Sequence, residues 1–307
     1  MRPNLQAQTK WRWGVAVYLF LIGVGAGAYV TGVFADFLGE GWTTLSQVGV
    51  ALGFPCGVVA GLFKLKQLGR PEAAWRAGMK PGTSWISRGS LILVAFLAVS
   101  FFHLVLWVWP AGGVLADAAG ARHVIGLIGG VLALALMFYT GVLLAAVRPI
   151  AFWSTAMLPV LFFVSALLTG MMAVALLSLL GGGAFAGPVA KLQQIIALLL
   201  VLKAVVLIFY LQSTHRVPES RASAKLVLTG TVAPLFWIGV AVIGVGIPLG
   251  LGFLDLFGIY GGGTAVIAVL ASLCGLAGGL FLRQVILAGG IHAPLRAGRF
   301  EIALPIV

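Results

Sequence analysis

The 307-residue sequence predicts an all-α integral membrane protein with eight transmembrane helices, and three observations carry that reading. Only 8% of the residues are charged, the charges fall in short stretches between apolar runs, and the mean hydropathy is +1.13. Eight of those runs reach about 20 residues, enough for a helix to cross a hydrocarbon core about 30 Å thick. A β-barrel is disfavoured, because barrel strands read as alternating segments of about 10 residues.

The spans follow in order, each closed by charge. Span one is 14–35, between Arg12 and Asp36, and span two is 44–63, between Glu40 and Lys64. Span three is 89–109, starting beside Arg88, and span four is 124–147, between Arg122 and Arg148. Span five, 158–182, and span six, 192–211, meet at a turn before Lys191; span six carries Lys203 in its interior. Span seven is 227–253, after Lys225, and span eight is 264–288, with Arg283 inside it. Length carries these assignments, because a helix apolar all round shows no useful 3.6-residue period. Pro55 and Pro248 are expected to kink spans two and seven, since each removes a backbone donor. The longest connection, loop two, has about 25 residues, so no separate soluble domain is expected, and two four-span halves, about 14–147 and 158–288, suit the loop lengths.

Charge sets the orientation. The N-terminal tail carries a net +3, loop two +5, loop four +1, loop six +2 and the C-terminal tail +1, whereas the opposite loops together carry −2. Positive loops stay in the cytoplasm, so both termini and the even-numbered loops are expected there, in a bacterial cytoplasmic membrane. The same distribution removes nucleic acid as the explanation of a pI near 10.4, because anionic headgroups account for basic charge along one membrane face. The run after Trp13 is too long for a signal-peptide core and no small-residue cleavage site follows it.

The chain holds 43 glycines, about twice the ordinary share. Gly23, Gly25 and Gly27 in span one and Gly275, Gly278 and Gly279 in span eight read as close helix contacts, which in lipid replace the hydrophobic drive. No HExxH, nucleotide-binding glycine loop or intramembrane acid pair is present, and all seven acids lie in loops or near span ends, against a carboxylate-based cation pump. Cys56 and Cys274 are too few for an iron–sulfur cluster, which takes four ligands. They read as small apolar side chains, and no metal is expected in this chain.

Three stretches carry the polar chemistry: Trp11-Arg12-Trp13 leading to Tyr18, the loop LGRPEAAWRAGMKPGTSWISRG over 68–89, and 138–170, which begins FYTG and contains VRPIAFW. The orientation brings them to one face. Tyr18 lies a turn inside span one, Tyr139 two turns from the cytoplasmic end of span four, and Arg88 and Arg148 cap spans three and four there. Phenolic hydroxyls ringed by guanidinium groups suit a quinone head, which needs donors to its carbonyl oxygens and an apolar slot. An aromatic belt with snorkelling arginines gives the same residues.

At these residues the chain resembles the NrfD/PsrC family, the membrane subunits of polysulfide-reductase-type complexes. The resemblance rests on LGRP with SWISRG, and on YTGVLLAAV followed by LPVLFFVSALLTG, and continues weakly through LRQVILAGG in span eight; DmsC-type anchors share the loop-two pattern. It implies two four-helix bundles and a menaquinone or ubiquinone site. It also implies partners: a ferredoxin-like four-cluster iron–sulfur subunit and a molybdopterin or similar catalytic subunit. The family tyrosine of span four matches Tyr139, while Tyr18 stands where a polysulfide-reductase relative carries histidine. Tyr18 and Tyr139 are the candidate hydrogen-bond donors, Arg88 and Arg148 the candidate charge stabilisers, and Trp13, Trp75 and Trp85 line the rim or the docking face. The resemblance places the partner on the loop-two face, which charge assigns to the cytoplasm.

Lys203 and Arg283 are candidate proton-path members or counter-charges, and Arg283 alternatively snorkels to the cytoplasmic surface. Two rival functions stand. A haem-b quinol cytochrome needs two facing axial histidines, and His103 with His123 form the one conceivable pair. A secondary transporter for an anion would use the intramembrane cations, but paired interrupted segments in matching halves are not evident.

Overall fold

Apolar runs that cannot borrow hydrogen bonds from water close their own as helices. Among the described residues of the computed structural model, eight helices are long and apolar enough to cross a membrane. The structure describes residues 6–7, 13–67, 79, 81–82, 84–108, 119–182, 187–256, 264–292, 295–297 and 300–302. The expectations for Trp11, Arg12 and Trp75 lie outside these residues.

The first four spans are α1 (Trp13–Phe37), α2 (Thr43–Lys66), α3 (Trp85–Val108) and α4 (Ala119–Ala145). α1 and α2 are joined by a tight turn in which Gly39 has φ 92°, a left-handed conformation that glycine adopts without strain. α2 runs unbroken through Pro55. The next two spans are α5 (Met157–Leu180) and α6 (Pro188–Ser213), the latter started by Pro188 at its first turn, where the missing N–H has no partner to lose.

Span seven departs from the sequence expectation. Residues 227–229 belong not to it but to a separate amphipathic helix, α7 (Pro218–Thr229), which carries Glu219 in its first turn and buries Ser220, Ser223, Ala224 and Val227. Gly230 ends α7, and the span begins at Leu235 as a wide π-helical segment, Leu235–Gly246, continuing as α8 (Ile247–Leu256). The cap shows the widened pattern: the Ile247 N–H bonds the Val242 carbonyl, five residues back. Pro248 follows that change of register directly, where one missing donor is absorbed. A hydropathy window cannot see this break, because Leu226, Val227 and Leu228 are as apolar as the span itself. The last span is α9 (Thr264–Ala288).

α1 packs on α2 and α4, α2 on α3, and α3 on α4; α5 packs on α6 and α9, α6 on α8, and α9 on α8 and the π-helical segment. The two rings of four meet chiefly at α1 against α5. That crossing is backbone on backbone: a methyl on Gly27 would overlap the Ala166 carbonyl, and one on Gly170 the Gly27–Ala28 peptide. α1 meets α2 in the same way at Gly32 and Gly49. The glycine content thus has a structural use.

Two polar clasps fix helix ends. On one face Asp36, 5% exposed, receives Arg122 through both oxygens at 3.0 and 3.1 Å, with His123 Nε2 at 3.3 Å and Arg122 stacked over Trp107. On the other, the 146–156 turn is tied down by Trp153 Nε1 donating to the Ile286 carbonyl at 2.7 Å and Tyr210 Oη donating to the Phe152 carbonyl at 2.8 Å. The aromatic part of VRPIAFW is therefore a staple between α4, α6 and α9. At this face β1 (Gln6–Ala7) pairs antiparallel with β2 (Ile291–His292), so segments near both ends of the chain lie together. A second ribbon joins β3 (Leu295–Ala297) to β4 (Phe300–Ile302).

Candidate functional site

The loop-two ends of α1 to α4 each contribute one group to a single cluster. α1 and α4 run in opposite directions, so Tyr18, five residues inside the start of one, sits level with Tyr139, six residues before the end of the other. Both rings are buried, 5% and 4% exposed, and their hydroxyls are close enough to interact. Neither hydroxyl makes a well-aligned hydrogen bond within the described residues. Room for Tyr139 comes from α3, where its ring lies directly on Gly89; a methyl there would overlap the ring.

α2 supplies a residue that sequence reasoning had assigned to loop two. Lys64 lies in the last turn of α2, and its side chain turns inward. Nζ donates to Ser90 Oγ at 2.9 Å and lies 5.7 Å from the centre of the Tyr18 ring. Ser90 Oγ in turn donates to the Ile86 carbonyl at 2.8 Å. No carboxylate pairs with Lys64 among the described residues. The available signal was positional: with helical continuation past residue 63, Lys64 falls level with Tyr18 and Ser90.

The other expected site residues are arranged around this cluster rather than in it. Arg88 turns to its own loop, Nε donating to the Pro81 carbonyl at 2.7 Å and Nη2 to the Gly82 carbonyl at 2.8 Å, with its guanidinium 4.6 Å over Trp85. Arg148 is exposed in the turn after α4. Trp85 is 43% exposed, and Trp13, 46% exposed, meets Phe281 edge-on at 6.4 Å.

Arg283 does not snorkel. It is 1% exposed at the junction of α1, α5 and α9, with Nε donating to the Leu19 carbonyl at 3.2 Å. Its Nη1 donates to the Gly279 carbonyl at 2.7 Å and to Ser165 Oγ at 3.3 Å. Phe20 and Phe162 flank the guanidinium. Lys203, fully buried on α6, lies within electrostatic range of Arg283, and its Nζ has no hydrogen-bond partner in the described residues. His103, also fully buried, shares a 2.7 Å hydrogen bond between its Nδ1 and the Tyr29 hydroxyl, while His123 stacks on Phe37 at 4.6 Å beside Asp36. Cys56 and Cys274 are free, partly buried thiols. A cleft of about 360 Å³ between α6 and α8, lined by Gln193, Leu198, Leu249 and Phe253, lies at the opposite end of the helices from the two tyrosines.

Chemically, the cluster offers two phenolic donors, a cation and apolar walls. Such donors suit the carbonyl acceptors of a quinone head group, because buried hydroxyls without well-aligned partners are rare in native structures.

The family model described as polysulphide reductase, NrfD, matches residues 2–294. A stretch of 93 residues is 37% identical to a sulfite dehydrogenase subunit of Allochromatium vinosum, covering 29% of this chain and 29% of that relative's length. With nearly the whole chain matched by the family model and eight apolar helices of membrane-spanning length, this multi-pass membrane protein belongs to the NrfD family.

Proposed function

We propose that the chain is the quinone-binding membrane anchor of a respiratory oxidoreductase, linking the menaquinone or ubiquinone pool to an iron–sulfur subunit of a molybdopterin-type enzyme. The observation that carries this reading is the pair of buried phenolic hydroxyls, Tyr18 and Tyr139, left without well-aligned partners at the strongly basic end of the first four helices. Family membership supports an oxidoreductase complex, and the named relative supports one of the sulfite dehydrogenase type.

In this reading the quinone, when bound, supplies the two-electron, two-proton couple. The tyrosine hydroxyls donate to its carbonyl oxygens and orient the ring, and the Gly89 backbone sets the position of Tyr139. Arg88 and Arg148, with Trp13 and Trp85, form the charged and aromatic rim that meets headgroups and partner. The positive-inside bias supports a cytoplasmic position for that rim, both termini and the partner subunits, at the cytoplasmic membrane. Lys203, buried on α6 within electrostatic range of the equally buried Arg283, is the proposed proton-exchanging or counter-charge site, since a buried ammonium without a partner carboxylate is costly to hold charged.

The test is purification of the tagged chain from its native membrane in mild detergent, with mass spectrometry of co-eluting proteins and extracted lipids. A ferredoxin-like protein, a large molybdopterin-containing subunit and near-stoichiometric quinone are expected. A stable lone chain without quinone would overturn the proposal.

A further inference from the structure

The direction taken by Lys64 is unusual for a lysine at a helix end. Such side chains normally run their methylenes along the apolar surface and deliver the ammonium to headgroups and water. Water is within reach of Lys64, since Leu65, Lys66 and Gln67 immediately after it are exposed. Nζ nevertheless turns inward, to Ser90 and the Tyr18 ring. Of its three N–H donors, one meets Ser90 Oγ, whose own hydrogen goes to Ile86, and no carboxylate of the described residues balances the charge. An ammonium so placed keeps two donors without protein partners among the described residues, beside the Tyr18 ring of the Tyr18–Tyr139 cluster. Arg88 offers nothing comparable, because its guanidinium is held by two loop carbonyls and a tryptophan.

We infer that Lys64 is the ligand that recognises the anionic form of the head group, giving the Tyr18–Tyr139 site a preference for a deprotonated phenolic oxygen over a neutral carbonyl. This rests on the quinone-binding reading proposed above and adds a specificity-determining residue to it. Neutral carbonyl oxygens need only the tyrosine hydroxyls. A phenolate oxygen, formed when a reduced head group loses a proton to water, gains a charge-assisted bond from Nζ, roughly twice as strong as a neutral one.

Two probes separate the charge role from a packing role. One is a 2-alkyl-4-hydroxyquinoline N-oxide in buffer alkaline enough to ionise it; the other is a short-chain neutral quinone. Both are titrated by fluorescence into the purified complex, as wild type, Lys64→Met, Lys64→Arg and Ser90→Ala. Lys64→Met is expected to weaken the anionic probe at least tenfold and the neutral quinone less than threefold. Lys64→Arg should hold the anionic probe within about threefold of wild type, and Ser90→Ala, which frees Nζ, should leave it as tight or tighter. Equal losses for both probes in Lys64→Met, or a matching loss in Ser90→Ala, would reduce Lys64 to a staple between α2 and α3 and overturn the inference. Wild-type protein that binds neither probe would overturn the quinone reading itself, and the role of Lys64 with it.

Discussion

Gly89 controls the site without carrying any of its chemistry, so Gly89→Ala isolates geometry from donor count. Ordinary carbon–carbon contacts run about 3.5–4.0 Å, and the new methyl would fall roughly halfway inside that distance, so the Tyr139 ring must retreat by roughly 2 Å. A donor moved that far no longer reaches its acceptor. Losing one neutral hydrogen bond costs about 0.5–1.5 kcal/mol, or about two- to twelvefold in Kd for a neutral quinone. Overpacking of this kind destabilises by about 1–3 kcal/mol. Tyr139→Phe should match the binding loss with little change in stability, and thermal unfolding in detergent alongside quinone titration reads both quantities. The double variant Gly89→Ala/Tyr139→Ala supplies the decisive comparison. Removing the ring removes the clash, so the two stability costs must fail to add. Additivity to within about 0.5 kcal/mol would show that ring and glycine do not touch, and the account of the site would be wrong.

Other expectations follow from the packing and charge already described. Gly27→Val should lower stability by about 3 kcal/mol or more, because α1 lies on the backbone of α5, whereas Gly130→Val, which faces open space, should cost almost nothing; equal melting temperatures would contradict the crossing. Arg283→Met should cost about 1.5–4.5 kcal/mol and Ser165→Ala about 1 kcal/mol, since the arginine loses three bonds and the serine one; a Met variant as stable as the Ala variant would show that those bonds contribute little. Asp36→Asn should cost about 1–3 kcal/mol by leaving Arg122 and His123 without their carboxylate, and an unchanged melting temperature would remove the clasp as a stabilising element. A C-terminal tag should react with reagents only from the cytoplasmic side; labelling from outside intact cells would reverse the orientation taken from charge.

Eight spans were legible because length and hydropathy are summed over about 20 residues, which averages away local detail. Span seven shows what that averaging conceals: the apolar residues before Gly230 belong to a surface helix, and the run after Pro234 adopts a wide π-helical winding that its composition does not announce. Tyr18 and Tyr139 could be paired from helix direction and depth alone, and the structure places them together. Side-chain direction was not legible. Lys64 and Arg88 both stand at the ends of their spans on the same face, yet one points into the cluster and the other to its own loop. The difference lies in what each finds within reach: the Ser90 hydroxyl on α3 for the lysine, the carbonyls of Pro81 and Gly82 for the arginine. Arg283 resembled a snorkelling residue by depth, but small neighbours, Gly23 and Gly279, leave room for a guanidinium among three helices. Sequence registers the glycines without saying which side chain fills the space.

The central claim is that a quinone head binds among the loop-two ends of the first four spans, and the most direct measurement is photolabelling of the native complex with an azido-quinone followed by peptide mapping. The account predicts label within 13–20, 60–67, 84–92 and 136–145, suppressed by excess unlabelled quinone and by Tyr139→Phe. Saturable label confined to the α6–α8 cleft, at Gln193, Leu198 or Phe253, would contradict it.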